Sequence, residues 1–264
     1  MVRWLRLLST LVCCAFLSTS RGEAAELRIT FDELARLVQT IANGTTIYLN
    51  SVPGGLFAKS SYIEIGSQKY ALPRIEKELK KGDSTYAYYV NDMKSTSVRV
   101  STVNRALRLA LTMETEGPEA TPGCVSGDCP LLSFFPDIEW ARPSIIIDFV
   151  PVQFDGSVSL QVKHVSLGST PQAACRPQSD IWARAACSIG RAFANQAISK
   201  LKADLPKMVK DAVNQPDVQR RLADGLKGYL TVGQAGAVAI NAISVAPNSM
   251  TVNFKFSAAT TPGN

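Results

Sequence analysis

The chain has 264 residues, 46% hydrophobic and 19% charged, with a formal net charge of +6. That hydrophobic share excludes a disordered chain, and the length can fill one large core or two small ones. The charge is too small and too scattered to mark a nucleic-acid-binding surface.

Arg3 and Arg6 precede an apolar run over residues 7–17, and Gly22-Glu23-Ala24 supplies small residues where a signal peptidase cleaves. Residues 1–24 therefore read as an export signal, and the expected location is secreted or periplasmic. The run falls short of the roughly 20 apolar residues of a transmembrane helix, and no later run is long enough to anchor the chain. Cys13 and Cys14 lie inside it behind Leu11-Val12, which lack the small side chains of a lipid-attachment site. Removal of the segment takes away three arginines and one glutamate and leaves +4. Residues 25–259 are expected to form one α+β domain, with residues 260–264 a loose tail.

Of the six cysteines, Cys124, Cys129, Cys175 and Cys187 remain after processing. An even number suits an oxidising compartment. Three pairings are possible, and the local one is favoured because each of its pairs brackets a turn-rich stretch. The competing zinc site lacks any CxxC pair, so no metal is expected.

The first predicted helix covers residues 30–42. Thr30 can cap it, Glu33 completes a capping box, and Phe31, Leu34, Leu37, Val38 and Ile41 form one apolar stripe. Strands follow over 45–50 and 62–65, separated by a Pro53-Gly54-Gly55 turn. Residues 72–81, with alternating charges behind Pro73, read as a short surface helix. Tyr86, Tyr88 and Val90 alternate with Ala87 and Tyr89 in an aromatic strand. Within 98–114, Leu107, Leu109, Leu111 and Met113 occupy every second position, the pattern of a half-buried strand. The glycines and prolines of 117–129 predict a surface loop pinned by a disulfide.

Residues 144–150 and 157–167 form a predicted hairpin about Phe154-Asp155-Gly156. Val158, Leu160 and Val162 share one face, Val165 and Leu167 take the other parity, and a bulge near His164 accounts for the flip. A long helical region then starts at Asp180, with Trp182, Ala186, Ile189, Phe193, Ala197 and Leu201 on one stripe. Pro206 and Pro216 are expected to interrupt it. The end is again β: residues 238–245, a Pro247-Asn248-Ser249 turn, and Met250, Val252, Phe254 and Phe256 in alternation.

Catalytic signals are sparse. His164 is the one histidine, and neither a G-x-S-x-G elbow nor an H-E-x-x-H helix occurs. Ser199 and Lys202 match S-x-x-K without its partner motifs. No glycine-rich phosphate cradle is present, so no catalytic residue and no cofactor is assigned. Asp137, Glu139 and Asp148 could form an acid/base pair, which keeps a carboxylate-dependent hydrolase as the least favoured reading.

The curved amphipathic strands, the N-terminal helix and the long late helix with Cys175 and Cys187 at its start together resemble the tubular lipid-binding (TULIP) superfamily. The resemblance lies in element order over residues 26–256, not in a motif. It implies a curled antiparallel sheet wrapped on a long helix in the C-terminal half. It also implies an apolar space between them that holds acyl chains or other hydrophobic ligands, with Trp182, Ile189, Phe193 and Leu160 as cavity candidates. The expected function is noncatalytic binding of a lipid or apolar small molecule. The alternative is an envelope or surface interaction module with a filled core, its protein partner docking on the 117–129 loop or on exposed Tyr86, Tyr88 and Tyr89.

Overall fold

A computed structural model of the protein describes residues 25–50, 61–72, 78–175, 181–230 and 238–256. Residues 1–24, the Pro53-Gly54-Gly55 turn, Asp180 and the 260–264 tail lie outside the described residues. The fold is α+β, as expected: curled antiparallel sheets with a long helix in the C-terminal half.

The largest sheet has seven strands in the order β12-β11-β8-β7-β2-β3-β4. These are β2 (Thr45–Leu49), β3 (Tyr62–Ile65), β4 (Gln68–Ala71), β7 (Met93–Val103), β8 (Ala106–Glu114), β11 (Ser144–Phe154) and β12 (Ser157–Leu167). A five-stranded sheet runs β13-β10-β9-β6-β5, and a three-stranded one β1-β15-β14. The five-stranded sheet contains β5 (Glu78–Lys81), β6 (Ser84–Val90), β9 (Ala120–Ser126), β10 (Asp137–Glu139) and β13 (Gln172–Ala174). The third contains β1 (Ala25–Thr30), β14 (Val238–Val245) and β15 (Ser249–Phe256).

Local chemistry explains the main elements. Helix α1 (Phe31–Ala42) begins at the predicted box: the Thr30 amide donates to Glu33 Oε2 at 2.9 Å, and the Glu33 amide donates to Thr30 Oγ1 at 3.2 Å. The Thr30 amide and the Thr30 hydroxyl, both donating to the carboxylate, hold the Glu33 carboxyl below its ordinary pKa. In β8 the four alternating positions from Leu107 to Met113 are buried, while Arg108, Ala110 and Thr112 are not. The β11–β12 hairpin turns through Asp155 and Gly156, both at positive φ, which glycine adopts without strain. The bulge falls where it was predicted. Asp148 pairs with His164 and Phe149 with Val162, leaving Lys163 as the extra residue.

Four expectations are corrected. Residues 78–81 are strand, not helix, because they pair with β6. Residues 120–126 within the supposed loop form β9, paired with β6 and β10. Pro206 does not break the long helix: α2 (Ile181–Val213) runs through it for 33 residues. The carbonyl that Pro206 leaves unpaired belongs to exposed Lys202, where water can satisfy it. Pro216 instead opens the next helix, α3 (Pro216–Leu230), at the position that needs no amide donor. Finally, Tyr86, Tyr88 and Tyr89 are buried, at 1%, 3% and 7% exposure. Both faces of β6 are covered, so none of the three can anchor a partner.

The described residues form two cores, and α2 enters both. Its first half sends Phe193, Ala194, Ala197 and Ile198 into a cluster with Tyr86, Tyr88, Phe135 and Ile138. Its second half sends Leu201, Leu205, Val209 and Val213 into the larger core under the seven-stranded sheet. Gly190 permits the close approach, since a Cβ there would stand 2.7 Å from Pro136 Cδ. The disulfides are Cys124–Cys129 and Cys175–Cys187, the favoured local pairing.

Edge strand β12 is covered by the α2–α3 junction. The Val162 amide donates to Asn214 Oδ1, and buried Gln219 donates to the Leu160 and Val213 carbonyls at 3.0 and 2.9 Å. Ser159, fully buried, donates to Gln219 Oε1. These side chains replace the missing neighbour strand. Gln219→Leu strands the Leu160 and Val213 carbonyls in an apolar setting, while Ser159 keeps the Gln219 main-chain carbonyl as acceptor. It is expected to lower stability by about 1–3 kcal/mol; an unchanged urea midpoint would refute the capping role.

Candidate functional site

The concave face of the seven-stranded sheet and the three helices enclose a narrow cleft. Its sheet wall consists of Ile47 from β2, Ile63 and Ile65 from β3, Leu109 and Leu111 from β8, Ile147 and Phe149 from β11, and Leu160 from β12. Val38, Ile41 and Ala42 of α1, Val213 of α2 and Leu222 of α3 line the opposite side, and Thr45 is the one polar residue of the lining. Nine strand residues, Thr45 among them, share a face because each sits at the inward parity of its own strand. The cavity volume is about 40 Å³. Pockets that enclose drug-sized ligands run from roughly 300 to 1,000 Å³, so in this conformation the side chains mostly pack on each other. A lining without charges binds by removing apolar surface from water, at roughly 25 cal/mol per Å².

The four cavity candidates fall in different places. Leu160 lines the cleft. Phe193 does not: it is buried in the second core, with ring centres 5.1 Å from Tyr88 and 6.0 Å from Phe135. Ile189 is 50% exposed. It lies about 100° round α2 from buried Gly190, on the shoulder of the helix rather than its seam. The side chain of Trp182 lies outside the described residues.

The polar candidates are not brought together. Asp137 and Glu139 stand on β10 in the five-stranded sheet, whereas Asp148 stands on β11 in the seven-stranded one. Asp148 accepts two bonds from the Arg108 guanidinium, at 2.8 and 3.0 Å. Those bonds hold its carboxyl below the ordinary range. It is thus occupied as an ion-pair partner on the outer face of the sheet. Burial, with the Asp137 charge adding, pushes the Tyr88 phenol well above its usual pKa, and its hydroxyl donates to the Pro136 carbonyl at 2.6 Å. Among the described residues no group of three or more His, Cys, Asp or Glu is placed to hold a metal, and no helix is long and apolar enough to cross a membrane.

Thirteen of the fourteen lining residues went unassigned in the sequence, Leu160 being the exception. The alternation of Leu107 to Met113 did mark Leu109 and Leu111 as inward-facing. Nothing local shows that Ile47, Ile63 and Ile147 face the same space, because that depends on pairing between distant strands.

The sequence matches no known family profile and no curated protein. Among solved structures it is similar to the crystal structure of lipopolysaccharide binding protein, with a TM-score of 0.40 and 11% identity over 93% of this chain and 54% of that one. The chain therefore spans about half the length of that protein.

Proposed function

We propose that the protein is an exported, noncatalytic binder of a lipid or other slender hydrophobic molecule, which it holds in the cleft between the curled sheet and helices α1, α2 and α3. The observation that carries this reading is the lining: thirteen apolar side chains and one threonine, drawn from three helices and five strands yet converging on one space. Because that space is small, loading requires the helices to move outward from the sheet, exchanging side-chain contacts for contacts with the ligand. No proton transfer and no cofactor enters this activity.

The test is native mass spectrometry of the purified protein with organic extraction, repeated on Ala42→Phe. Ala42 borders the cleft and is 4% exposed. A phenyl ring there occupies the space a chain would enter, and its overpacking costs about 1–3 kcal/mol. The expected result is a copurifying or loadable apolar ligand on the original protein and its loss from the folded variant. A protein that carries no such ligand and takes up neither fatty acid nor sterol overturns the reading.

The small free volume favours a second reading, the interaction module with a filled core. Among the described residues the large apolar side chains exposed to a protein partner are then Ile181 and Ile189 on the first turns of α2, Val125 within residues 117–129, and Val245. An empty protein on which Ile189→Asp abolishes association with an envelope partner is its expected signature.

A further inference from the structure

The cleft has a mouth. Ile41 and Ile65, which line it, are only half-buried and also line a surface basin of about 400 Å³. The other walls of that basin are Gly44, Gly66, Arg221 and Asp224. Gly66 has φ +63°, and no heavy atom lies within 4 Å of where its Cβ would stand. On the far side of Ile41, a Cβ on Gly225 would come within 3.2 Å of Ile41 Cδ1. Three glycines thus leave the approach past Ile41 unobstructed by side chains.

The charges at this mouth are not used up internally. Arg221 is half-buried and adjoins Leu222, which reaches the cleft. Among the described residues Arg221 has no ion-pair partner, and it is not bridged to exposed Asp224 one turn further along α3. A guanidinium offers planar, paired donors that match a phosphate or carboxylate, and partial burial strengthens that attraction relative to open water. Asp224 repels an anion as well, but as the more solvated of the two charges it is screened more than Arg221, and it accepts from a hydroxyl or ammonium.

We infer that this basin seats the head of an amphiphile, with a phosphate or carboxylate against Arg221 and the tail passing Ile41 and Ile65 into the cleft. The inference rests on the cleft reading above and adds its ligand class, an anionic-headed single chain. A detergent-like ligand without a charged head would gain nothing from Arg221.

The experiment is a fluorescence-displacement titration with three probes of equal chain length: hexadecanol, hexadecanoate and palmitoyl lysophosphatidylcholine. The original protein is expected to bind at least one charged-headed probe on the order of tenfold more tightly than hexadecanol, the weight of one charge-assisted hydrogen bond. Arg221→Gln should reduce that probe to the hexadecanol level and leave hexadecanol unchanged, while Arg221→Lys retains part of the preference. Preference for lysophosphatidylcholine assigns a phospholipid source, and preference for hexadecanoate a free fatty acid. Equal binding of all three probes, indifferent to Arg221→Gln, overturns the head site and leaves the cleft standing. Failure of all three probes to bind overturns the cleft itself.

Discussion

Phe193→Ala is expected to lower the unfolding free energy by about 3–5 kcal/mol, the range for removing a buried aromatic side chain. Phe193 is 2% exposed and touches both Tyr88 and Phe135, whose rings also pack on β6 and the turn before β10. Its removal leaves a void that neither the backbone of α2 nor the five-stranded sheet can close, because Gly190 already holds them in contact. Since Phe193 lies outside the cleft, ligand affinity of the folded fraction should not change. Thermal unfolding and lipid titration on the same variant separate the two effects. A variant of unaltered stability would show that the second core contributes nothing to the fold, and a loss of affinity at full folding would return Phe193 to the binding site.

The second large effect is expected from the double variant Cys175→Ser/Cys187→Ser. The bridge closes a loop across 12 residues and ties the end of β13 to the first turns of α2. In the chain-entropy account, a loop of this size contributes about 3 kcal/mol through the unfolded state. The first half of α2 then loses its covalent anchor to the five-stranded sheet. Hydrogen exchange should therefore accelerate first in α2 before Ile198, and later in α3, which packs on β11 and β12. Uniform acceleration would instead mean that the bridge acts on the global transition alone.

Local signals were legible wherever one residue could specify its neighbour. The Thr30–Glu33 capping box, the leucine alternation of β8, the Asp155-Gly156 turn and the parity flip at His164 all describe chemistry within a few residues, and the structure contains each of them. The errors share a different origin. The alternating charges of residues 78–81 mark an exposed segment without saying whether it pairs, and β6 supplied the pairing. Gly123 and Pro122 suggest a loop, yet Gly123 is where the Tyr89 ring lies against β9, so the missing side chain serves a strand. β1 escaped notice because it adjoins the export signal, although Leu27 and Ile29 alternate with Glu26 and Arg28. Ile189 and Phe193 are neighbours on one face of a helical projection, but the helix meets two different sheets along its length. Of the cleft, parity within strands was readable and the meeting of strands was not.

The place of Pro206 has a mechanical consequence. The first half of α2 is gripped by the core of the five-stranded sheet through Phe193 and Ile198; from Leu201 onward, on both sides of the proline, it is gripped by the core under the seven-stranded sheet. Within that second grip the rod lacks one rung, and the carbonyl it frees belongs to exposed Lys202. Flexing there breaks no further hydrogen bond. Displacement of the far end of α2 along the seven-stranded sheet would accordingly be taken up as a bend concentrated in a single turn, leaving the grip on the five-stranded sheet undisturbed and giving the molecule a compliant joint inside what is otherwise its stiffest element.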